Sequence, residues 1–98
     1  MSYKLKGVVP STKSTKKLMA VFIKKTKKTK TTHFGSAGMD DYTITKNKEQ
    51  RERYRTRHAK DLKTGDPTRA GYLSYYILWG DSTSLKTNIA SYKKKFNL

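Results

Sequence analysis

The chain has 98 residues, 23 Lys and Arg against 7 Asp and Glu, a formal net charge of +16 and no cysteine. That length suits one small domain. The missing cysteine excludes disulfides and thiolate metal sites, and the longest apolar run, Leu18 to Ile23, is too short for a membrane-spanning helix.

The charge is uneven: residues 1–32 carry ten lysines and no acid. A surplus of one sign repels itself and is relieved by a polyanion, so the first third reads as a basic arm or face. Apolar residues are scarce, but seven Tyr, three Phe and one Trp are available for a small core built on aromatic rings.

Residues 1–16 are polar and broken by Gly7 and Pro10. They read as a basic, flexible lead-in, with Val8 and Val9 able to form a short edge strand. They lack the apolar core of a secretory signal. Residues 17–98 read as the single folded domain. Leu18 to Ile23 is apolar on both parities and predicts a buried strand. The run KKTKKTKTT follows at 24–32. A turn near Lys25 to Lys28 returns the chain through Lys30 to Phe34 as a second strand, because Thr favours strands and Phe34 can rejoin the core. A hairpin with a basic tip results. A disordered basic linker is the competing reading, since no Asn-Gly or Asp-Gly marks the turn.

Gly35 to Gly38 breaks the strand, and Asp40 and Asp41 offer helix caps. From Thr45 to Leu62 no Gly or Pro occurs and helix formers dominate, with Tyr54, His58 and Leu62 as a narrow inward stripe. Gly65, Asp66 and Pro67 end that helix and start another, Pro67 to Trp79, apolar nearly all round. Ser82 or Thr83 caps a last helix, whose Leu85, Ile89, Tyr92 and Phe96 follow steps of four, three and four. The expected fold class is α+β: an N-terminal β-hairpin or small antiparallel sheet followed by three α-helices.

The candidate binding residues are Lys24, Lys25, Lys27, Lys28 and Lys30 on the hairpin and Arg51, Arg53, Arg55 and Arg57 on the first long helix. Lysines meet phosphate as flexible point charges without reading base identity; arginines add directional bonds. Residues two apart on a helix diverge by about 200°. Arg51 and Arg55 therefore share one face and Arg53 and Arg57 another. A solvated helix with internal ion pairs competes with the binding reading. His33, His58, Asp40, Asp41 and Asp61 are the only metal or acid–base candidates, but no HExxH or His/Cys spacing occurs. Asp40 and Asp41 suit caps, and His58 suits a hydrogen-bonding place beside Tyr54. No catalytic residue, metal or cofactor is expected. Tyr72, Tyr75, Tyr76 and Trp79 have the spacing of core packing rather than of base stacking.

The ordered words Thr32-His33-Phe34-Gly35, Asp41-Tyr42-Thr43, Arg53 to His58, Asp66-Pro67, Ile77-Leu78-Trp79 and Tyr92 to Phe96 carry a further signal. Together, over residues 18–98, they resemble a family of small basic proteins encoded by large double-stranded DNA viruses of algae and amoebae. The resemblance implies a viral setting, in the virion or the infected host cell rather than secreted, and a role with the genome or the virion. It carries no catalytic residue over. The expected function is non-enzymatic nucleic-acid binding, DNA favoured over RNA, through the phosphate backbone. The alternative is a minor capsid or virion protein whose basic face holds other virion proteins; a metal-dependent nuclease built on His58 and nearby acids is a third reading.

Overall fold

The computed structural model describes residues 3–98. Three antiparallel strands, β1 (Lys4–Pro10), β2 (Lys16–Ile23) and β3 (Thr29–Ser36), form a sheet in that order. In β2 every second residue turns to the core: Ala20 and Phe22 are buried, paired across the sheet with Val8 and Leu5 on one side and with Thr32 and Lys30 on the other. Leu18 faces Phe34 across the same surface. The opposite parity, Met19, Val21 and Ile23, lies half-buried on the outer face beside exposed Val9.

The lead-in expected to be flexible apart from a short edge strand at Val8 and Val9 thus carries a seven-residue strand from Lys4 to Pro10. Leu5, 3% exposed, lies beside its cross-strand partner Phe22 and fixes β1, and a bulge between Leu5 and Gly7 sets Lys6 out of the ladder. Ser11 and Thr12 follow on the loop to β2, where Ser11 Oγ lies 2.7 Å from His33 Nδ1.

The helical half is more divided than three helices. The expected helix from Thr45 to Leu62 is split. Asp41 caps a single turn, α1 (Tyr42–Thr45), by accepting the Thr43 N–H at 2.9 Å, and Lys46 ends it in the left-handed conformation at φ 58°. Asn47 then caps α2 (Lys48–His58) through the Gln50 N–H. After His58 the chain tightens into a 3₁₀ stretch, Ala59–Thr64, closed by Gly65 at φ 65°. The next helix starts later than Pro67, because the Asp66 side chain takes the Thr68 N–H and O–H in a turn of its own. It then runs as α3 (Ala70–Leu73) and widens into a π stretch, Ser74–Leu78. Ser84, rather than Ser82 or Thr83, caps α4 (Leu85–Lys95).

The core joins the inner sheet face to these helices. Among the described residues, six of its eleven buried hydrophobic side chains are aromatic: Phe22, Phe34, Tyr42, Tyr72, Trp79 and Tyr92. The α4 stripe packs on it as expected, and buried Asn88 adds a polar staple. Its Nδ2 donates to the Ile77 and Ser82 carbonyls at 2.8 Å and its Oδ1 accepts from the Ser82 N–H. Gly80 permits that approach, because a Cβ there would lie 2.7 Å from Asn88 Cγ. No helix is long and apolar enough to cross a membrane among the described residues.

Candidate nucleic-acid interface

The hairpin expected from KKTKKTKTT forms, and its tip is a closed turn rather than a loose linker. The Lys24 N–H donates to the Lys28 carbonyl at 2.9 Å and the Lys27 N–H to the Lys24 carbonyl at 2.8 Å, with Lys27 at φ 66°. Lys25, Lys27 and Lys28 are exposed around that turn, and no carboxylate pairs with any of them among the described residues. The other two hairpin lysines are turned inward. The Lys24 ammonium sits 4.8 Å from the Tyr3 ring centroid. Lys30 falls on the inner face, and its Nζ donates to Thr68 Oγ1 at 2.7 Å, beside the Thr32 hydroxyl bonded to the Thr68 carbonyl.

The four arginines divide by helix face as their spacing requires. Arg55 Nε donates to the Trp79 carbonyl at 2.9 Å, its Nη2 bonds Asp81 Oδ1 at 2.9 Å, and its guanidinium lies over Tyr75. The bond from Arg55 holds the Asp81 carboxyl below its usual range. Arg51 reaches the Asp81 carbonyl, pairs with Glu52 and covers the Tyr42 ring at 4.7 Å. These two arginines therefore dock α2 against the rest of the fold. Arg53 and Arg57 are exposed on the other face and pair with no carboxylate among the described residues. Of the nine candidates, five are exposed and without a carboxylate partner among the described residues: Lys25, Lys27, Lys28, Arg53 and Arg57.

A cleft of about 560 Å³ opens between the end of β3, α2 and the start of α3. Lys16, Arg57, Asp40, Tyr54, His58 and Trp79 are among its walls. Lys17 stands there too, but its Nζ is bound to buried Asp41 at 2.6 Å. His58 Nδ1 lies 3.0 Å from Asp61 Oδ2, and burial pushes the Tyr54 phenol up from its ordinary value against a bond with Ser74. A second groove, lined by Lys30, Thr32, Thr68 and Arg69, shares Asp61, Ala70 and Gly71 with the first, so the two adjoin. The Thr68 hydroxyl bonded to Asp66 holds that carboxyl below its usual range. Neither the place of Lys16 nor the joining of Trp79 to Tyr54 and His58 is marked in the sequence. Tyr54 and His58 are visible as a pair one turn apart, whereas Trp79 is brought to them only by the fold. Among the described residues no group of three His, Asp or Glu side chains converges to hold a metal ion.

The fold is thus that of a small α+β protein, a three-stranded antiparallel meander covered on one face by short helices. Residues 7–58, more than half the chain, match the model of a family of unknown function (DUF5754), and the protein belongs to that family. The match takes in most of the sheet, the basic hairpin and α2 through His58. No curated protein and no solved structure matches the chain.

Proposed function

We propose that the protein binds nucleic acid through its phosphate backbone, without catalysis, and that duplex DNA is preferred over RNA. The observation that carries this reading is the tip of the hairpin: three exposed lysines on one hydrogen-bonded turn, paired with no carboxylate among the described residues. Folding gains nothing from concentrating like charges there, whereas a phosphate backbone neutralises them. Only the turn at residues 24–28 extends past the three-stranded sheet, since β1 flanks β2 as far as Ile23; such a turn can press its lysines on the phosphates bordering a B-DNA groove, whereas A-form RNA keeps a deep, narrow major groove. The sequence resemblance to small basic proteins of large DNA viruses fits a place with a viral genome, in the virion or the infected cell.

The test is a salt titration of binding to duplex DNA, single-stranded DNA and RNA. With about five phosphates neutralised on a duplex, log K falls against log salt with a slope of about −4.5. A slope near zero overturns the reading. Changing Lys25, Lys27 and Lys28 together to Gln weakens binding to all duplex sequences alike; a changed sequence preference instead gives the hairpin a base-reading role.

One observation favours a second reading, a minor virion component held to other virion proteins. Val9, Met19, Val21 and Ile23 form an outer sheet face that does not pack on the core. Extraction of virions separates the two readings: a genome-bound protein leaves with the DNA at high salt, and a shell-bound one stays with the capsid.

A further inference from the structure

We infer that the cleft beside α2 is a slot for one unstacked nucleotide, its base lying on His58 and its phosphate between Arg57 and Lys16. The inference rests on the nucleic-acid reading and names a second contact within it.

Tyr54 lies 4.4 Å from Trp79 at an interplanar angle of 9° and 4.2 Å from His58 at 25°. Two near-parallel neighbours at such distances occupy opposite faces of Tyr54, so the three rings form one stack. The aromatic pairs elsewhere in this core are tilted or edge-on. The stack starts in the core, where Trp79 is buried, and ends in the cleft at His58, whose side chain remains 38% exposed. Asp61 fixes the imidazole by its Nδ1. A held, half-exposed ring at the end of a stack is a platform on which one more flat ring can lie, and stacking on aromatic side chains is how proteins take up unpaired bases.

The polar groups suit a nucleotide better than a bare anion. Arg57 and Lys16 supply positive charge at the wall and neither is paired with a carboxylate among the described residues. Asp40 and Asp61 in the same wall oppose a free polyphosphate but accept from the N–H groups of a base edge. The volume of about 560 Å³ is within the range of small-ligand pockets. The way in is continuous with the hairpin. The neighbouring groove, which carries Lys30 and Arg69, meets the slot at Asp61, Ala70 and Gly71. A strand held by the basic tip is led along β3 toward His58.

The experiment compares a blunt DNA duplex with the same duplex carrying one bulged 2-aminopurine, whose fluorescence is quenched on stacking. The bulged duplex is expected to bind about tenfold tighter, with quenching on binding. H58A removes both the preference and the quenching while binding the blunt duplex as before; H58F, which keeps a flat ring, retains them. R57Q reduces the preference and keeps the quenching. Equal affinity for the two duplexes without quenching overturns the slot and leaves backbone binding intact, whereas binding to neither overturns both. If H58A fails to fold, the quenching with unaltered protein and the R57Q comparison still decide.

Discussion

Lys27 takes a backbone with φ 66° in the turn that joins β2 to β3. A residue with a Cβ pays about 1–2 kcal/mol to sit in the left-handed region, and glycine sits there freely. Glycine also loses more chain entropy on folding, which offsets part of the gain. Lys27→Gly is therefore expected to stabilise the free protein by about 0.5–1 kcal/mol, read by urea unfolding. It is also expected to lower duplex affinity and make the salt slope shallower by about one unit. Lys28→Gln, which removes a neighbouring charge without touching the strained position, separates relief of strain from relief of repulsion: it shares the loss of affinity and not the full gain in stability. If Lys27→Gly destabilises, the turn has another requirement for lysine. A side chain kept against its local backbone preference is the pattern expected where a surface serves binding rather than folding.

At the scale of the element, α2 is a two-faced helix with no buried residue. Arg51 and Arg55 fasten one face to the 79–81 segment and Arg53 and Arg57 leave the other to solvent. The two faces predict a double dissociation. Arg55→Gln loses the bond to the Trp79 carbonyl and the cover over Tyr75, and costs about 1–2 kcal/mol of stability. The pair with Asp81, whose side chain is 93% exposed, adds little to that. Arg53→Gln leaves unfolding unchanged and makes the duplex salt slope shallower by about one unit. Denaturant unfolding and salt titration on both variants check this, and matched losses in both assays would sink the division of faces. The division itself was legible in the chain, since a helix turns residues two apart to different sides. Which side docks was not, because the Trp79 carbonyl and Asp81 lie 24 and 26 residues from Arg55. The same contrast runs through the fold. Leu18 to Ile23, the hairpin and the α4 stripe were readable from periodicity. The break at Lys46 and Asn47 and the inward turn of Lys30 were not, because they depend on an αL residue without glycine and on the distant Thr68. The nucleotide slot stayed hidden for the same reason: Tyr54, Arg57, His58 and Asp61 are neighbours in sequence, but only the fold adds Trp79 and Lys16.

Over the whole molecule the opposite charges are segregated. All seven acids lie beyond residue 39, and the ion pairs of the described residues use Asp41, Glu52, Asp61, Asp66 and Asp81, away from the hairpin tip. The lysines of the first third outnumber the acids that reach them, and the free protein stores repulsion that folding has not relieved. Salt reaches this repulsion, since the screening length falls from about 10 Å at 0.1 M to about 3 Å at 1 M. Surface ion pairs contribute little, so their weakening by salt is the smaller effect. The free protein is therefore expected to melt at higher temperature as salt rises, by about 4–8 °C for each kcal/mol of repulsion removed. Duplex DNA has the same stabilising effect by a different route: at low salt it binds the folded form and raises the melting temperature by mass action. That second gain disappears as salt displaces the complex. Melting curves across a salt series, with and without duplex, should accordingly converge from opposite directions. The free protein rises, the complex falls, and the two meet where phosphate no longer competes with dissolved anions. A free protein that instead loses stability with added salt would mean that its few ion pairs outweigh the repulsion of its lysines, and its surplus charge would then give no reason for a polyanionic partner.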